Sequence, residues 1–197
     1  MGACLSWVAV HGKDPQAVLD GLGWRRTGEQ EEIPESPTTC TSLRPGWFAL
    51  IMMNRADAYD GTVDLARLSK GAELVAGFVE EHVMFSGVVL WRDASKVWSV
   101  EHDGQEGIGH LAVGGQPPSE LAVIIEQAKA SHDAEDDGSA AVDFMFDVPV
   151  DIAQRIAAFR YDRSDADGVE LQFDVLAELP RARRGGWLRS ILGGRAG

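Results

Sequence analysis

AELVAGFVEEHVMFSGVVLWRDASKVWSVEHDGQEGIGHLAVG, residues 72–114, is the stretch that decides the fold. Within it Ala72–Glu80, His82–Arg92, Val97–His102 and His110–Val113 read as successive strands, because runs of β-branched and aromatic residues are separated by short polar or glycine breaks. Asp93-Ala94-Ser95-Lys96 predicts a hairpin turn that sets Trp91 opposite Trp98, Val89 opposite Val100 and Gly87 opposite His102. One side of that ribbon, Phe85, Val89, Trp91, Trp98 and Val100, is apolar and needs a cover. A facing tryptophan pair adds about 0.5–1 kcal/mol beyond burial and would pin the register.

Upstream, Leu5–Val10 reads as a strand and Asp14-Pro15 as a helix start, with Asp14 capping and proline in the first turn. Gly21 and Gly23 end that helix, and Trp24–Thr27 is a short strand. The segment from Glu29 to Pro45, with four glutamates and three prolines, reads as a loop. Trp47–Met53 is apolar throughout and reads as a strand covered on both faces. Thr62–Ser69 is a short helix stopped by Gly71.

Downstream, Glu120–Ala130 places Leu121, Ile124, Ile125 and Ala128 at helical spacing. Val142–Phe146 reads as a strand feeding a helix that starts at Asp147-Val148-Pro149, and Val169–Leu176 is the last strand. Strand, Asp/Pro and helix thus recur at both ends of the chain, either as a remnant of duplication or, the favoured alternative, as two uses of one local solution. The expected fold class is α+β: a mainly antiparallel sheet with helices packed on a face. Residues 1–180 form one domain, and residues 181–197 a basic Gly/Arg-rich tail.

The chain has 197 residues, 45% of them hydrophobic, enough for one sizeable core. Its formal charge is −13, and because residues 181–197 carry five arginines and no acid, the first 180 residues hold −18. Such a body repels phosphate backbones and anionic bilayers, so the expected partner is a basic protein and not a nucleic acid. The tail, with Trp187, Leu188, Ile191 and Leu192, is too short to be stable alone and is expected to dock, in order of preference, on the body, on a second copy to give a homo-oligomer, or on a membrane surface. The longest apolar block, Trp47–Met53, is far below the ~18 residues of a membrane span. Cys4 and Cys40 have no CxxC or metal-ligand spacing and read as reduced thiols in a cytoplasmic protein.

The candidates for chemistry are His82, Glu101 and His102. Neighbours on a strand point to opposite faces, so the expected register puts His102 on the tryptophan side and leaves His82 near Glu101 on the open side. A zinc-type site needs its ligands on one side, so no metal and no cofactor is expected. Asp162–Gly168 has the outline of a calcium loop, but Arg163 stands in the leading ligand position. No G-x-S-x-G, G-x-G-x-x-G or G-K-[ST] motif is present. A hydrolase or isomerase using His82, Glu101 or His102 is the alternative to a binding role.

Gly12–Leu19 (G-K-D-P-Q-A-V-L), Gly46-Trp47, Leu68-Ser69-Lys70-Gly71 and the tryptophan hairpin together resemble uncharacterised bacterial domains found as stand-alone proteins or near polymorphic-toxin loci. The likeness covers roughly the first half of the chain and carries no catalytic residues. It implies a protein-binding role, including immunity-type neutralisation of a toxin. The expected function is therefore a non-enzymatic binding module with an acidic surface.

Overall fold

The computed structural model describes residues 2–43, 46–134, 142–166 and 168–179. Its strands are β1 (Cys4–His11), β2 (Trp24–Glu31), β3 (Thr38–Leu43), β4 (Trp47–Met53), β5 (Glu73–Glu80), β6 (Phe85–Arg92), β7 (Ser95–Asp103), β8 (Ala112–Gly115), β9 (Asp165–Ala166), β10 (Val169–Glu170) and β11 (Phe173–Glu178). Nine of them form a single sheet in the order β2-β11-β3-β4-β1-β5-β6-β7-β8, with every neighbouring pair antiparallel; β9 and β10 form a separate small hairpin. The helices are α1 (Pro15–Leu22), α2 (Leu65–Leu68), α3 (Glu120–Ala134) and α4 (Asp147–Ala157). The fold is thus α+β with a mainly antiparallel sheet, as expected.

Helices cover both faces of the sheet, not one. On the first face Trp7, Ile51, Val88, Trp98 and Val100 are buried under Leu121 and Ile124 of α3, Val148 and Ile152 of α4, and Met145 and Phe146. On the second, Val8, Phe48, Leu50 and Leu74 are buried under Val18 and Leu19 of α1, Leu68 of α2 and Ala58. This double cover is why β4 is apolar at every position. Asp14 caps α1 as its sequence promises, accepting from the Ala17 amide at 3.0 Å, and Gly23 closes the helix at φ 78° in the left-handed region.

The central hairpin differs from expectation by one residue. Asp93 and Ala94 alone make the turn, both at positive φ (46° and 64°), so Arg92 pairs with Ser95 and Trp91 with Lys96. An irregularity after Leu90 then sets Leu90 opposite Trp98, Val88 opposite Val100, Gly87 opposite Glu101 and Ser86 opposite His102. Trp91 therefore lies on the second face and Trp98 on the first, and the facing tryptophan pair does not form. Alanine is a poor residue for such a turn, and the end of α2 holds it there: Ala94 donates to the Ser69 hydroxyl (3.2 Å), Asp93 donates to the Ala72 carbonyl (3.1 Å), and the Asp93 carboxylate accepts from the Gly71 amide (3.1 Å).

Two further expectations are corrected. The segment from Glu29 to Pro45 is not all loop, since β2 runs to Glu31 and β3 occupies Thr38–Leu43, with the C-terminal β11 inserted between them. Phe144–Phe146 is a single 3₁₀ turn and not a strand, because Met145 and Phe146 fill the first face. Asp147 makes no capping bond and instead receives Arg160 at 2.6 Å. The two ends of the chain are therefore not similar strand–helix units. Asp165 of the calcium-like stretch accepts from the Gly168 amide (3.1 Å), and Asp174 pairs with Arg26 (2.8 Å); Asp167 lies outside the described residues, as does the basic tail with its expected docking.

The bend between β2 and β3 is closed by Glu31, whose carboxylate accepts from the amides of Glu35 (2.9 Å) and Ser36 (3.1 Å) and from the Ser36 hydroxyl. Burial pulls this carboxyl upward, but the Ser36 hydroxyl and the two amides outweigh it and lower its pKa. The folded value being the lower one, the contribution is complete above the unfolded value of about 4.3 and is lost as pH falls through the folded value. Glu31→Gln should cost roughly 1 kcal/mol at neutral pH. Urea melts of the two proteins should converge in acid; a difference that persists below the folded value would contradict this account.

Candidate functional site

His102 of β7 is fully buried on the first face. Its Nδ1 lies 2.7 Å from the His110 carbonyl, which can only accept, so this nitrogen carries a proton. Its Nε2 lies 2.9 Å from Asp143 Oδ2. Both ring nitrogens are thus committed to the protein, and the pair ties β7 to the segment entering the 3₁₀ turn. Neither nitrogen is free to take a proton from a substrate.

His82 is exposed. Because β6 begins only at Phe85, His82 sits in the turn after β5, where its Nδ1 lies 2.8 Å from Glu80 Oε1. It does not face Glu101. Glu101 is on the second face opposite Gly87, away from His102. The structure therefore brings no two of His82, Glu101 and His102 into one site. Among the described residues no group of three or more His, Cys, Asp or Glu side chains could hold a metal ion.

The second face does carry a site that the sequence reading missed. Phe78 pairs with Gly87 and Glu80 with Phe85, so the two phenylalanines are diagonal neighbours on one side of the β5–β6 ribbon. Gly87 leaves a gap between them, and Tyr59 fills it from the segment after β4. A Cβ at position 87 would stand 2.5 Å from the Tyr59 hydroxyl and 2.8 Å from Cζ. The Tyr59 segment is pinned to β1 by the Ala58 amide on the Ser6 hydroxyl (3.3 Å) and the Asn54 amide on the Cys4 carbonyl (2.8 Å). Ring centroids are 6.1 Å apart for Tyr59–Phe78, 5.8 Å for Tyr59–Phe85 and 5.8 Å for Phe78–Phe85.

These rings border a cavity of about 260 Å³ that also touches Asp60, Glu80 and Asp103, and no lysine or arginine is in its lining. The Cys4 thiol and then His82 hold the Glu80 carboxyl below its usual range. The Thr62 hydroxyl and amide do the same for Asp60. Burial, and the Glu80 carboxylate beside it, push the Cys4 thiol up to about 11, so it stays protonated. Burial, with the Glu101 carboxylate adding to it, raises the Tyr59 phenol well above its ordinary pKa, and its hydroxyl is buried without a hydrogen-bond partner.

A larger cavity of about 360 Å³ lies by α1 and α2. There Arg55 is already paired with Asp57 and lies over Trp24 at 6.0 Å, and Lys13 Nζ is bonded to the Leu68 carbonyl at 2.5 Å. Its charges neutralise one another, whereas those beside Tyr59 are all of one sign. An aromatic surface edged by carboxylates attracts a cation. No protein-family model matches this chain, and no curated protein or solved structure matches it either.

Proposed function

We propose that this protein is a non-enzymatic binding module that receives a basic protein partner on its acidic body. The observation that carries this reading is the cavity at Tyr59, where aromatic rings meet three carboxylates and no cation. The −18 charge of residues 1–180 extends the same preference over the whole body and would steer a basic partner toward it. Both cysteines are free thiols, which suits a reducing cytoplasm, and no helix among the described residues is long and apolar enough to cross a membrane. Neutralisation of a cationic toxin domain is the specific form of this role that the resemblance implies.

Calorimetric titration of the full chain with short synthetic peptides rich in arginine or lysine tests the reading. Binding is expected, with affinity falling about tenfold as salt rises from about 50 to about 300 mM. Failure of every basic peptide to bind at low salt would remove the proposal and leave the charge as a device for solubility.

A further inference from the structure

We infer that the Tyr59 cavity is a recognition site for a single arginine side chain of the partner protein, in preference to lysine or a methylated lysine. This rests on the binding role proposed above and names its ligand. At about 260 Å³ the cavity is below the size of ordinary small-molecule sites and suits one long side chain.

The ring geometry selects among cations. All three centroid separations fall between 5.8 and 6.1 Å, so the rings touch one another. A box around a trimethylammonium group needs rings standing apart on several sides of the methyls, and this trio leaves no such space. The three rings border the cavity as one contiguous cluster, inclined to one another by 29° (Tyr59–Phe78), 41° (Phe78–Phe85) and 70° (Tyr59–Phe85). A guanidinium is flat and weakly hydrated, stacks on the face of a single ring, and directs five N–H donors outward in its own plane. Asp60, Glu80 and Asp103 stand at that cavity to accept them. A lysine ammonium would reach the carboxylates as a point charge but would give up more hydration for less aromatic contact. Glu80 and Asp60, held in the ionised form by their own donors, are ready acceptors.

The test compares peptides of one length and charge that carry arginine, lysine or trimethyl-lysine, read by calorimetry and by amide chemical shifts in the full chain. Arginine should bind about tenfold tighter than either lysine form, with the largest shifts at Phe78, Phe85 and Asp103. Tyr59→Leu should reduce that preference to about twofold while general basic-peptide binding survives. Gly87→Ala, which pushes on the Tyr59 ring, and the milder Asp103→Asn should each weaken arginine more than lysine. Equal binding of arginine and lysine, unchanged by Tyr59→Leu, would overturn the inference while leaving the binding role intact; no binding of any basic peptide would remove both. Shifts of the same amides with protein concentration alone would assign the site to arginines of a second copy and overturn the assignment to a partner.

Discussion

Replacing Gly77 by alanine should destabilise the protein by about 3 kcal/mol, at or beyond the upper end of overpacking losses. Gly77 sits in the middle of β5 on the first face, opposite Trp7 of β1. A Cβ added there would stand 2.1 Å from Trp7 Cζ2, 2.4 Å from Cη2 and 2.6 Å from Cε2. Trp7 is one of the largest fully buried side chains, and it packs on Phe159 at 5.9 Å. The ring has nowhere to go, since dense interiors transmit a displacement to their neighbours. Urea unfolding measures the loss, and shrinking the partner, as Trp7→Leu with Gly77→Ala, should recover part of it relative to the sum of the single variants. Gly77→Ala within about 0.5 kcal/mol of the parent would mean that Trp7 is not seated over the glycine.

Asp143→Ala should lose a similar amount, about 3 kcal/mol, because it leaves His102 Nε2 buried without a partner. The His102 ring cannot simply turn over, since its Nδ1 is held by the His110 carbonyl. Asp143→Asn keeps a group that can bond Nε2 in either protonation state and should lose only about 1 kcal/mol. Amide exchange in β7 and at His110 should rise in step with the loss, because Asp143 is the link between that strand and the 3₁₀ turn. If alanine and asparagine behave alike, the bond from Asp143 contributes nothing beyond packing.

Much of the fold could be read from local chemistry. The Asp14-Pro15 start and Gly23 stop of α1, the unbroken apolar β4 and the strand-rich block from β5 to β7 all follow from capping geometry, left-handed glycine and the period of the pattern. What failed did so for a common reason. The turn at Asp93-Ala94 is two residues long because Ser69, Gly71 and Ala72 hold it, and nothing in Asp-Ala-Ser-Lys announces those bonds. Phe144-Met145-Phe146 has strand composition but is bent into a turn by the apolar face it fills. The Tyr59 site has no linear motif because its parts come from the segment after β4, from β5, from β6 and from the end of β7; in the sequence Gly87 reads only as a strand residue opposite His102.

Taken alone, the sequence established that this chain builds a mostly antiparallel sheet, that its body is strongly acidic, and that it carries no familiar catalytic motif, because composition, period and caps act over a few neighbouring residues. Which way each tryptophan faces, that helices roof both sides, and that Tyr59, Phe78 and Phe85 meet beside Asp60, Glu80 and Asp103 were decided only in three dimensions. The two-residue turn fixes where the β6–β7 pairing starts, and the irregularity after Leu90 supplies the one-residue shift that carries the facing side chains to opposite faces.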